Sequence, residues 1–259
     1  MVERYLSDKE YKDYFSKLNN VRYKIIKDLP IKRGMHILDL ATGYGFFAIE
    51  TIRRDKTIKI SAIDVAKNDV LNARKNTEDQ GLAGRIKIFE MDATNMNFPN
   101  GHFDMVVNFL GLEDIYMTKG RKGVQKTFVE VNRVLKPRGY FCFVIMPPDA
   151  METQAQKIEV ALYSYICNAT WLNYKEYKTM LKNTKFKFIN KKTYHTHKKL
   201  TPKQAKTEIK FACKNVPKLY GIRTPSFKDV WSKFGKHIEK NGLGQCSKVV
   251  LIMAQKYAQ

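Results

Sequence analysis

HILDLATGYGFFAIE, residues 36–50, decides how this chain is read. Residues 37–40 are apolar apart from Asp39 and have the length of a short buried strand. Residues 41–45 form a turn of small residues, and from Phe46 onward the apolar spacing suits a helix. A strand, tight turn and helix in this order aim backbone N–H groups at the helix N-terminus, where an anionic ligand group is favoured. Gly43 and Gly45 let the backbone approach such a ligand closely. Two glycines in a turn are common, so the weight of the motif depends on its surroundings.

Downstream, residues 59–64 (KISAID) predict a second strand ending on Asp64, 19 residues beyond Gly45. Parallel-sheet nucleotide-binding folds carry a ribose-binding acid at about this distance, and one carboxylate can accept from two hydroxyls at once. The alternative is that Asp64 caps a helix over residues 68–77. Further strands are expected at 86–90, 103–109 and 140–146, with an amphipathic helix at 124–135 presenting Phe128, Val131, Val134 and Leu135 on one face. Strand and helix alternate, which predicts a parallel sheet covered on both faces.

Upstream, residues 7–29 predict a helix with a capping box of Ser7 and Glu10 and a stripe of Tyr11, Tyr14, Phe15, Leu18, Val21 and Ile25 that suits core packing. Beyond residue 150 the pattern turns helical (153–169, 174–181), then gives a basic strand at 185–194. Helical segments from 200 to 234 are expected to break at Pro217, Gly221 and Pro225, before a loop at 241–244. Residues 248–254 (KVVLIMA) are too apolar for a tail, so the chain is expected to return to the sheet, leaving 195–247 as an insertion.

The net charge of +22 is uneven. Residues 1–150 carry 25 Lys and Arg against 19 Asp and Glu, whereas residues 151–259 carry 22 against 6, with Arg223 the one arginine of that part. Such a surface suits an anionic substrate, a nucleic acid or a membrane; a solvated lysine face is the plain alternative. Arginine is the usual residue for forked phosphate recognition, so its scarcity weighs against nucleic acid. Cys142, Cys167, Cys213 and Cys246 are scattered without metal spacing, as expected for reduced thiols of a cytoplasmic protein. No apolar run approaches the roughly 20 residues of a membrane span. His195 and His197 would share one face of a strand, but no third ligand accompanies them and no metal is expected.

Taken together, these motifs resemble the class I S-adenosylmethionine-dependent methyltransferases over about residues 20–150, with the terminal strand agreeing. Asp39, Gly43 and Gly45 match the family's acid-x-Gly-x-Gly-x-Gly motif, with Ala41 in place of its first glycine. DLATGYG, FDMVVNFLGLEDI (103–115) and VNRVLKPRGYF (131–141) look like the ubiquinone/menaquinone C-methyltransferase group. The resemblance implies a Rossmann-like, doubly wound, mostly parallel seven-stranded sheet with helices on both faces and a helical C-terminal insertion. It implies one domain over 1–259: an N-terminal helical cap (1–30), a cofactor-binding core (31–150), a substrate-side elaboration (151–247) and the last strand (248–254).

It also implies S-adenosylmethionine as cofactor, with its demethylated form S-adenosylhomocysteine as product. Asp39, Ala41, Gly43 and Gly45 would lie at the methionine end, Asp64 on the ribose hydroxyls, Val65, Asp92 and Ala93 at the adenine, and Asn108 facing the transferable methyl. Candidate bases are Tyr44, Glu113 and Asp114, with Asn108 a further catalytic candidate; helix-cap or surface roles compete for the two acids. A nicotinamide enzyme would want G-x-G-x-x-G, but Phe46, Phe47 and Ala48 follow Gly45. The preferred acceptor is a small molecule that is aromatic, quinone-like or anionic. RNA, DNA or protein modified through the basic C-terminal part is the alternative, as is a binding protein without activity. Trp171, Tyr174, Trp231 and Phe234 are expected in a lid or in core packing.

Overall fold

The computed structural model describes residues 18–258. Strand β1 (His36–Leu40) is buried at four successive positions because it has parallel neighbours on both sides, β2 (Lys59–Asp64) and β4 (Phe103–Phe109). β3 (Ile86–Glu90) extends the sheet beyond β2, and β5 (Leu135–Ile145) lies beside β4. Two further strands complete it, β6 (Phe186–His195) and β9 (Lys248–Lys256). The seven-stranded order is β3-β2-β1-β4-β5-β9-β6, with β9 antiparallel to both neighbours. The apolar strand near the C-terminus therefore enters the sheet between β5 and β6, as its composition predicts.

Alternation along β1 sends successive side chains to opposite faces. Ile37 joins a core with Ile25, Phe47, Ile60 and Leu251 beneath α1 (Asn19–Asp28), α2 (Phe46–Ile52) and α3 (Lys67–Glu78). Leu38 and Leu40 join the other face, with Val106, Phe128, Phe143 and Tyr177, beneath α4 (Gly111–Val134) and α6 (Tyr174–Asn183). A third cluster, including Leu162, Ile209, Val230 and Ile238, holds α5 (Gln154–Ile166), α7 (Pro202–Tyr220) and α8 (Phe227–Asn241) together. Trp231 and Phe234 belong to this third cluster, whereas Tyr174 packs on the second and Trp171 on the first, so the four aromatics form no common platform.

Several boundaries differ from expectation. Residues 7–17, with the Ser7–Glu10 box, lie outside the described residues; within the rest of the expected range, α1 covers Asn19–Asp28. The helix expected from 124 starts at Gly111 and is broken at Gly120 (φ 64°, ψ −170°), a conformation open to glycine, inside a polar run that hides the periodicity. Pro217 does not end α7. It supplies no N–H for the carbonyl four residues back, and the Thr224 hydroxyl donates to that Cys213 carbonyl at 3.3 Å instead. The loop at 241–244 contains β8 (Leu243–Gly244), paired with β7 (Lys199–Leu200).

Phe128 is fully buried, with ring centroids 5.1 Å from Phe141 and 5.5 Å from Phe143. Phe128→Ala should cost about 3–5 kcal/mol in denaturant unfolding; a loss within the usual scatter of surface substitutions would contradict this packing.

Candidate functional site

The site forms where β1, β2 and β4 end side by side. After Leu40 the chain turns through Ala41 (φ 51°), Gly43 (φ 54°) and Gly45 (φ 79°) into α2. A left-handed residue other than glycine costs about 1–2 kcal/mol, and Ala41 takes that position. Its methyl group is accommodated from across the turn: a Cβ on Gly111 would stand 2.5 Å from Ala41 Cβ and 2.7 Å from Asn108 Nδ2. The missing first glycine is thus matched by a glycine at the start of α4.

Asn108 binds these ends together. Its amide donates to the Leu40 carbonyl at 2.7 Å and accepts from Gly111 N–H at 3.2 Å, with no exposed surface. Asn108 thereby positions the turn between β1 and α4. Asp64 makes the second tie, accepting from Gly43 N–H and Ala66 N–H, both at 2.9 Å. It does not cap α3, whose cap position is Ala66. Thr42 donates to Asp39 at 2.6 Å, and Asn76 donates to the Tyr44 carbonyl at 2.9 Å.

Four carboxylates converge electrostatically here. Burial, with a smaller push from Asp64, raises Asp39 to about 7 against the pull of Thr42 and Arg22. Asp69, in the first turn of α3, is raised to about 7 by burial and by the charges of Asp64 and Asp114. Asp114 reaches about 7 through burial, opposed by the Tyr220 hydroxyl that donates to it at 3.0 Å and reinforced by Asp64. Burial raises Asp64 as well, against its backbone donors. The sequence reading missed Asp69, Tyr220 and Arg22. Asp69 had a usable signal, five residues beyond Asp64 at a helix start; Tyr220 lies 106 residues from Asp114 and had none.

The other predicted residues sit as follows. Asp92 accepts from Thr94 N–H and hydroxyl, both at 2.8 Å, and pairs with Lys119; these bonds hold it below the usual carboxylate range despite partial burial. Ala93 is buried next to it, and Val65 is 65% exposed on the open side of the turn. Tyr44 is buried, with its ring 6.3 Å from Phe46. Arg22, itself buried, lies over the rings of Phe46 and Phe109 at 5.4 and 5.2 Å.

Glu113, one of the candidate bases, does not take the alternative surface role. It is buried, accepts from Met146 N–H at 3.0 Å, and burial pushes it to about 7. Its second oxygen has no partner among the described residues. Glu113 therefore links α4 to the end of β5. His197 lies beyond β6 with φ 55°, so the histidines do not share a strand face; their rings stack at 5.4 Å. Among the described residues, no cluster of three or more His, Cys, Asp or Glu is arranged to hold a metal, and no helix is long and apolar enough to cross a membrane.

An acid raised from 3.8 to about 7 in the folded state binds a proton there that the unfolded chain releases, so its contribution to stability falls as pH rises from about 4 to 7. Asp69→Asn, which removes that titration, should gain thermal stability relative to the parent as pH rises from 5 to 7.5. A difference independent of pH would contradict the acidic cluster.

Residues 37–139 match the family described as "Methyltransferase domain". A demethylmenaquinone methyltransferase of Thermus thermophilus is 31% identical over 122 residues, covering 47% of this chain and 52% of the relative. A ubiquinone/menaquinone biosynthesis C-methyltransferase of Rickettsia akari is 28% identical over 127 residues, covering 46% and 49%. The chain thus spans about half the length of the curated relatives it matches. Among solved structures, a methyltransferase assigned as such in Bacillus halodurans superposes with a TM-score of 0.68 at 17% identity, covering 92% of this chain and 99% of its own, a likeness of fold. The matched residues, 37–139, hold the glycine turn, Asp64, Asp92 and Asn108, and they are a methyltransferase domain with similarity to the ubiquinone/menaquinone C-methyltransferases.

Proposed function

We propose that this chain is a class I S-adenosylmethionine-dependent methyltransferase acting by in-line displacement on a small-molecule acceptor. The observation that carries the reading is the ring of Asp39, Asp64, Asp69 and Asp114 around the glycine turn, with the first, third and fourth raised to about 7. Surplus negative charge of this kind suits a ligand bearing a sulfonium and an ammonium, and opposes the pyrophosphate of a dinucleotide.

The residues fit that cofactor chemically. Asp64 uses two of about four acceptor positions on Gly43 and Ala66, leaving capacity for ribose hydroxyls. Val65, Asp92 and Ala93 would border the adenine, while Asp39, Ala41, Gly43 and Gly45 would border the methionine end. The bound cofactor supplies an already activated methyl group. The protein's task is then to hold the acceptor in line and keep water out. Asp114, with Tyr220 hydrogen-bonded to it, is the acid best suited to take a proton from the acceptor, because a base near neutrality is efficient at physiological pH. The named activity of the quinone-modifying relatives supports an aromatic or quinone-like acceptor. Transfer of radiolabelled methyl into fractionated lysate tests the acceptor class: label in small molecules supports the reading, and label in RNA, DNA or protein overturns it.

Calorimetry should detect S-adenosylmethionine, and Asp64→Ala should weaken its binding by about 1–3 kcal/mol; an unchanged affinity would move the ribose contact elsewhere. A cationic ligand lowers the pKa of the raised acids, so binding near pH 6.5 should release protons. Titrations in buffers of different ionisation enthalpy read this directly, and proton uptake would contradict it.

A further inference from the structure

Part of the lysine surplus of residues 151–259 encloses a cavity. It has a volume of about 430 Å³ and is bordered by the first turn of α5, the β6–β7 turn and the end of α8. Its lining includes Gln154, His197, Lys198, Lys199, Lys240 and Ser247; among the described residues that line it, none is Asp or Glu. The α5 N-terminus adds a field of the same sign. Tertiary structure brings these lysines together. The β7–β8 ladder pairs Lys199 with Gly244, and Gly242 (φ 73°) makes room for the Lys199 stem, because a Cβ there would stand 2.3 Å from Lys199 Cε.

The cavity is separate from the acidic site. β6 runs in the same direction as β1 and ends at the same edge of the sheet, four places away in the order β1-β4-β5-β9-β6. At about 4.8 Å per strand that is roughly 19 Å. Its lysine-rich, carboxylate-free wall is unsuited to an apolar ring. Its volume lies within the range of about 300–1,000 Å³ usual for small-molecule sites. Mobile ammonium groups answer a compact multiply charged anion better than a planar carboxylate.

We infer that this cavity binds the phosphate or diphosphate group of a small molecule through Lys198, Lys199 and Lys240. The inference rests on the charge and shape of the cavity and does not require methyl transfer. The ligand is either the anionic end of an acceptor that reaches along the sheet edge or a separate effector.

Calorimetric titration of the full chain with inorganic pyrophosphate at about 50 and 150 mM salt tests it. One site per chain is expected, with affinity falling about tenfold or more in the Lys199→Gln/Lys240→Gln double variant. Both side chains are outside the cores, so the thermal midpoint should not change. Absence of binding, equal affinity in the double variant, or much tighter binding of a short RNA that depends on the same lysines would overturn the inference. Pyrophosphate that competes with methyl labelling of lysate small molecules identifies the acceptor's own tail. Binding that leaves labelling intact identifies a separate ligand. The pyrophosphate titration contains no cofactor, so its failure and a failure to bind S-adenosylmethionine are read independently.

Discussion

The carboxylate of Asp64 carries more of this structure than any neighbouring group. One oxygen accepts from Gly43 and holds the turn after β1; the other accepts from Ala66 and fixes the entry to α3. Both bonds draw on a buried carboxylate, and its charge adds to the burial that raises Asp39, Asp69 and Asp114. One residue thus ties two backbone segments of the edge and adds its charge to the neighbouring acids. Burial of so many carboxylates opposes stability until a positive group joins them. Such strain is common where a protein is built to receive a ligand rather than to maximise its own stability.

On the other side of the turn the constraint is steric. β1 and β4 end so close together that a methyl group fits on one chain and not on both. Ala41 holds that methyl group, Gly111 yields the space, and the Asn108 amide closes the gap by bonding both backbones. The departure of Ala41 from the glycine of related motifs becomes intelligible only as half of this pair. Toward the far edge, beyond β9, the sign of the charge reverses. Acids ring the ends of β1 and β2, and lysines gather past β6, about four strands away. A single edge of the sheet thus offers two chemically opposed environments to ligands lying along it.

Sequence patterning specified the sheet almost completely. Strands 59–64, 86–90 and 103–109 have the expected bounds, because central parallel strands are short apolar runs flanked by turn residues. It was weaker where polar residues interrupt a helix, as at Gly120, and where a proline falls in the last turn of α7, since Thr224 restores the lost hydrogen bond from outside the helix. The motif residues of the site were visible for the same reason as the strands: Asp39, Asp64 and Asp92 end or follow strands whose register is local.

What only the tertiary structure decided is how those residues are used. Whether Asn108 faces a ligand or the backbone depends on the distance between β1 and β4, which no spacing along the chain encodes. The Asp114–Tyr220 hydrogen bond joins residues 106 positions apart, and Lys199 borders the cavity it shares with Lys240 from a two-residue ladder too short to carry a pattern. The amino-acid sequence alone determined the parallel sheet, the glycine turn and the acids that follow its strands, because hydrophobic period and turn chemistry act over a few residues. The acidic ring and the basic cavity were decided by packing, because charge acts through space and its neighbours are chosen by the fold.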